Sequence, residues 1–122
     1  MLFFASLGGV WLFYVQHQFE DVYWERDESW DFQAAAIQGS SYYKLPVLLQ
    51  WFSGNIGYHH IHHLNPRIPN YYLKQCHQLL IRYVEIEPIT IRKSFNSLKC
   101  RLWDEKNEKM VGFGYLKQLA VT

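Results

Sequence analysis

From Met1 to Val15 the chain reads MLFFASLGGVWLFYV, without one charged side chain. Such a run belongs either in lipid or in a core helix buried on all sides. A complete bilayer crossing takes about 20 apolar residues, so this run is short for one. A secretory signal would open on basic residues and close on a small-residue cleavage site, and the segment has neither. Polar and aromatic residues then arrive together: Gln16, His17, Gln18, Phe19, Glu20, Asp21, Tyr23 and Trp24. Helices look like this where they leave hydrocarbon for the aqueous interface. The expectation is the last part of a transmembrane helix over residues 1–16, its beginning lying upstream of Met1, with a buried core helix as the alternative. An aromatic share of 18% fits either a membrane-interface belt or a thick core.

The remainder reads as one small domain, since 122 residues allow no more. Net charge is +1, which argues against a nucleic-acid binder working through bulk electrostatics. Cys76 and Cys100 lie far apart without CxxC spacing, as expected of two reduced thiols. The charge cluster Glu25-Arg26-Asp27-Glu28 reads as a solvated face. Asp31 is a candidate N-cap for a helix through Ala34 to Ile37, stopped near Gly39. Ser40 to Phe52 is aromatic and aliphatic, with Pro46 near a helix start and the apolar run Val47 to Phe52 behind it; the segment is too short to span and suited to the interface or to packing beneath a site. Asn65-Pro66-Arg67-Ile68-Pro69-Asn70 is turn-forming, because each proline blocks the helix before it. Asn70 is expected to cap a helix from Tyr71 to about Tyr83, sided by Leu73, Leu79, Leu80 and Tyr83. Ser94 to Cys100 reads as a further short helix, and Leu102 to Phe113 as a small β-hairpin around Asp104–Asn107. The fold class expected is mainly α with that one hairpin.

Four of the six histidines fall between positions 59 and 63. Imidazole is the commonest neutral nitrogen ligand for iron, copper, nickel and zinc. On a helix, His59, His62 and His63 stand at i, i+3 and i+4 and project from one face. His60 is turned about 100° away and is expected to support rather than bind. A structural zinc site would recruit cysteine, and none is near. A zinc protease needs HExxH, and a carboxylate-bridged di-iron bundle needs Glu-x-x-His; neither occurs. The pattern points to a nitrogen-rich metal site.

The stretch Gly54-Asn55-Ile56-Gly57-Tyr58-His59-His60-Ile61-His62-His63-Leu64-Asn65-Pro66-Arg67-Ile68-Pro69-Asn70-Tyr71 resembles the third histidine box, HxxHH, of integral-membrane acyl-lipid fatty acid desaturases, most of all the bacterial acyl-lipid and Δ12/ω6-type branch. The resemblance continues through Trp11–Asp21 and Ser97–Glu105, and so covers most of the chain. It implies the C-terminal part of a helical membrane enzyme. Residues 1–16 would be the end of a transmembrane helix, 17–93 a cap region on the cytoplasmic side carrying the box, and 94–122 a tail. His59, His62 and His63 match the positions that bind a di-iron centre, and His17 lies where the family supplies a further ligand. His60, Asn55 and Arg67 are given supporting roles, Arg67 with an equal claim to be a helix-turn anchor. His77 is expected to pack or hydrogen-bond. The implied reaction uses two iron ions, O2, an external electron donor such as ferredoxin and a membrane acyl-lipid, in which it leaves a cis double bond.

The family pattern is also broken. Such desaturases carry an upstream HxxxH box and an earlier HxxHH box, and upstream of the tract this sequence has only His17. The expectation is a fragment that is inactive without those boxes. A non-catalytic membrane-associated remnant or a metal-binding module stands as the alternative.

Overall fold

In the computed structural model, residues 2–26 and 28–119 are described. The uncharged run forms helix α1, Leu2–His17. At 1.5 Å per residue it is about 24 Å long, less than the roughly 30 Å of a hydrocarbon core. Among the described residues no helix is long and apolar enough to cross a membrane. Leu2, Phe3, Phe4, Leu7, Val10 and Phe13 face outward, and only Val15 and Gln16, near its end, are buried.

Helix α2, Phe32–Gln38, has the caps its sequence promised. The Asp31 carboxylate accepts the Ala34 N–H at 2.7 Å, and the Gly39 N–H donates to the Ala35 carbonyl. Strand β1, Tyr42–Lys44, follows, and then helix α3, Val47–Phe52, behind Pro46. Gln50 is the one residue of α3 that is buried; Val47, Leu48, Leu49, Trp51 and Phe52 are exposed. Gly54 and Asn55 both take the left-handed conformation, at φ 64° and 62°, and turn the chain toward helix α4, His59–Leu64.

Two expectations need correction. Asn70 does not cap an α-helix over 71–83: it opens a 3₁₀ turn, Asn70–Tyr72, preceded by Pro69, and the α-helix proper, α5, is Leu73–Leu80. Arg82 and Tyr83 close three-residue turns onto Leu79 and Leu80. Tight i→i+3 bonds commonly end helices, and the chain must become extended before Pro88. Likewise the helix expected over 94–100 starts earlier. Thr90 caps α6, Ile91–Ser94, which tightens into a 3₁₀ turn over Phe95–Lys99. Between these elements lies strand β2, Pro88–Thr90, paired in parallel with β1 in the register Tyr42–Pro88, Tyr43–Ile89, Lys44–Thr90. The expected hairpin is present: β3, Leu102–Asp104, runs antiparallel to β4, Lys109–Val111. Helix α7, Phe113–Leu119, closes the described chain. The architecture is mainly α, as expected, and both cysteines are free thiols.

A small core of Tyr58, Ile61 and Leu73 lies between α4 and α5, flanked by Tyr42, Ile68, Cys76 and Leu80. The small side chains of α2 bring it close against α4. The C-terminal segment is pinned to the end of α1. Tyr14 Oη donates to the Ser97 carbonyl at 3.1 Å, Gln18 Nε2 to the Cys100 carbonyl at 3.1 Å, and Trp11 rests on Phe95. Buried Gln16 ties α1 to the loop before α4. Its carbonyl accepts the Ser41 N–H at 3.1 Å, and its side-chain Nε2 donates to the Ile56 carbonyl at 2.8 Å. These staples set where the last residue of α1, His17, stands.

Candidate metal centre

Helix α4 places His59 and His63 one turn apart on a single face. Gln16 and its partners hold His17 across from them. The three Nε2 atoms form a nearly equilateral triangle: His17 to His63 3.0 Å, His63 to His59 3.1 Å, His59 to His17 3.2 Å. Among the described residues these three are the histidine, cysteine and carboxylate donors that converge within 4.8 Å. His59 is buried, His17 half-buried and His63 exposed, so the triangle opens on one side.

The donor chemistry fits a metal ion. A neutral imidazole has one N–H and one lone pair. The ring proton of His17 is committed at Nδ1, which donates to the Phe13 carbonyl at 2.8 Å. Its Nε2 therefore brings a lone pair to the triangle, the arrangement that fixes the tautomer of a metal-binding histidine. Three nitrogens meeting tip to tip cannot satisfy one another by hydrogen bonds alone, whereas one cation accepts all three lone pairs. Two nitrogens bonded at about 2.1 Å to one ion stand about 3 Å apart when the bonds are at right angles, close to the spacing here.

Electrostatics favour the neutral form of His59 and His63. Burial, reinforced by the nearby rings of His17, His63, His62 and His60, pushes His59 down to about 3 from the ordinary 6.5. His63 is lowered by burial and then by His17 and His62. Neutral imidazole is the form that binds metal. His59 Nδ1 is buried without a partner among the described residues.

The sequence singled out other residues, and the structure distributes them. His62, half-buried, stacks on His59 with ring centroids 5.7 Å apart but does not enter the triangle. His60 points the other way, fully buried, with its Nε2 3.0 Å from His77 Nδ1. Burial, then the His77 ring, lowers His60 to about 4, against the opposing pull of the Ser41 backbone, which favours the protonated ring. Asn55 donates from Nδ2 to the Asn70 carbonyl at 3.1 Å and so ties the loop before α4 to the segment after it. Arg67 is exposed, and its backbone N–H donates to Asn65 Oδ1 at 3.1 Å. His77 pairs with another buried histidine, in line with the expectation that it packs or hydrogen-bonds. Sequence reasoning passed over Gln16 and Ser41. The one signal available was a glutamine next to a candidate ligand at the end of an apolar run.

Gly57 matters for a steric reason. A Cβ there would collide with the Gln50 side chain and the Tyr43 carbonyl. Its own carbonyl accepts the Tyr43 N–H at 2.7 Å, which seats the loop that leads into α4.

The profile of the family described as fatty acid desaturase matches residues 1–94. A curated fatty acid desaturase of Bacillus subtilis (strain 168) is 54% identical over 114 residues, which cover 93% of this chain and 32% of that protein. The chain thus spans about a third of the length of the curated relative it matches. No solved structure matches it.

Proposed function

Because the chain belongs to the fatty acid desaturase family, we propose that it contributes part of the metal centre of an O2-dependent acyl-lipid desaturase. The observation that carries this reading is the His17–His59–His63 triangle, three nitrogen donors and no carboxylate, within the stretch that matches the family. Members of this family are generally metal-dependent and membrane-associated. The proposed metal is iron, one ion of a pair, and His62, which stacks on His59, would serve the second. Iron so held supplies the oxygen chemistry. The chain's own residues fix its position: His17 through the Phe13 carbonyl, His59 and His63 through the register of α4.

In the proposed overall reaction an acyl chain loses two hydrogens from adjacent methylenes and gains a cis double bond. Two electrons from an external donor such as ferredoxin and two protons complete the reduction of O2 to two waters. The exposed apolar surfaces of α1 and α3 support burial of both in the bilayer or its interface, α1 as the end of a transmembrane helix. Residues 17–93 would then form a cap on the cytoplasmic side and 94–122 a tail against it. A third of a desaturase brings too few imidazoles for two irons, so the chain by itself is proposed to be inactive.

The test is a chimera in which this chain replaces the matching third of the Bacillus subtilis relative. Host lipids are expected to gain unsaturated species with the chimera, none with the 122-residue chain alone, and none with a chimera carrying His59→Ala. An active His59→Ala chimera would refute the assignment.

A further inference from the structure

We propose that His77 is the positioning residue of the metal centre, acting through His60 to hold α4 at the rotation that aims His59 and His63 at His17. The proposal rests on the metal-site reading above.

Helix α4 has six residues and no side-chain cap at its N-terminus. So short a helix has almost no stability of its own, so contacts outside it must set its rotation. His59, His60 and Ile61 are the buried residues of α4, and α2 packs beside the helix. Ile61 enters the small core and gives depth without a preferred angle. His60 does give an angle, because its Nε2 meets His77 Nδ1 at 3.0 Å in a directional bond.

His60 is 0% exposed and His77 7%, and their ring nitrogens are 3.0 Å apart. With one partner donating and the other accepting, this is a single N–H···N bond of ordinary length. The triangle is different, because there three nitrogens crowd one point; the pair carries no such excess. His77 is itself held. The Tyr42 ring lies 4.3 Å and the Tyr58 ring 5.1 Å from it, centroid to centroid, and the two tyrosines stack on each other at 5.2 Å and 8°. Tyr58 is the residue before α4, and Tyr42 leads β1. The ring that receives His60 is therefore fixed by the same two elements that frame the helix. His59 precedes His60 by about 100° of helix turn, so a rotation that loosens His60 carries His59 off the triangle.

The experiment uses the 122-residue chain in detergent micelles with Co2+ as the probe, read by its ligand-field absorption and by titration. His77→Asn keeps an amide near the Nδ1 position, whereas His77→Gln moves the amide out toward Nε2, beyond reach of His60. Both retain a polar group in the tyrosine cage. The Asn variant is expected to bind Co2+ within a few-fold of wild type, with the same spectrum. The Gln variant is expected to lose about 10–100-fold in affinity, the usual cost of a lost outer partner. His60→Gln should reproduce that loss, and the double variant should lose no more than either single one. Equal affinities for His77→Asn and His77→Gln, with or without equal losses of Tm, would overturn the proposal, as would additive losses in the double variant. If wild-type binding does not depend on His59, the metal-site reading falls and takes this one with it. Binding that depends on His59 but ignores His77 sinks this one alone.

Discussion

Ile61 couples the core to the candidate metal centre, so its truncation should be felt in both. The residue is 1% exposed and packs with Tyr58 and Leu73, next to Tyr42, Ile68, Cys76 and Leu80. Ile61→Ala deletes roughly three carbons at about 0.8 kcal/mol each, near 2.4 kcal/mol of lost burial. The cavity left behind adds to this, and large-to-small core substitutions of this kind cost about 2–5 kcal/mol. Four of the flanking residues are only partly buried and can settle into the space. We therefore expect the lower half of the range, about 2–3 kcal/mol. Ile61→Val should cost only about 1 kcal/mol. Leu79→Ala, on the exposed side of α5, should stay within about 0.5 kcal/mol. The assay is denaturant unfolding in mild detergent, followed by tryptophan fluorescence and by far-UV circular dichroism. Because Ile61 lies between His60 and His62 on α4, the Ala variant should also bind Co2+ more weakly than the Val variant. A loss below about 1 kcal/mol for Ile61→Ala, or a loss matched by Leu79→Ala, would refute the claim that this cluster holds the histidine helix in place.

Two further outcomes follow from the geometry around the same helix. Gly57→Ala should destabilise by at least about 1–3 kcal/mol and lower the yield of folded chain, because its Cβ collides with Gln50 and the Tyr43 carbonyl; a Tm equal to wild type would contradict this. Acid should unfold the chain from an unusually high pH: His59 and His60 lie at about 3 and about 4 in the fold but near 6.5 once unfolded. Above about 6.5 both states are neutral and stability is flat. As pH falls toward 4 the unfolded chain alone takes up these protons, and stability declines by up to about 1.4 kcal/mol per pH unit for each group. Below the folded values both states are charged and the slope vanishes. A Tm that holds or rises between about pH 6.5 and pH 4.5 would contradict the assignment.

What could be read from the sequence was local in origin. The Asp31 cap, the Gly39 stop, the Pro46 start and the turn in the C-terminal hairpin each follow from a few neighbouring residues and a known backbone preference. The His59–His63 face follows from the helix period alone. The parallel pairing of Tyr42–Lys44 with Pro88–Thr90 was out of reach, since three residues cannot display an alternating pattern and their partners lie half the chain away. The end of α5 was misjudged because Leu79, Leu80 and Tyr83 continue a helical spacing that the chain gives up before Pro88. Of the candidate ligands, His59 and His63 could be placed from spacing, and His17 came from family resemblance. His62 shows the limit of spacing, since it shares their face yet lies outside the triangle. Only folding reveals that Gln16, through Ser41 and Ile56, sets the approach of His17.

His59 and His63 share one face of α4, and His17 reaches them because one buried glutamine bonds to two loops 25 and 40 residues away. The loop carrying Ile56 also carries Gly57, whose contact with Tyr43 admits no side chain. Tyr43 in turn sits in β1, one residue from the Tyr42 that holds His77. The two sides of α4 are thus linked through one strand: the outer side presents the nitrogens of His59 and His63 to His17, and the inner side is hydrogen-bonded to His77. A chain that forms β1–β2 should therefore form the triangle, even where it lacks the ligands for a second ion. Binding one metal and failing at catalysis are then compatible outcomes for the same 122 residues.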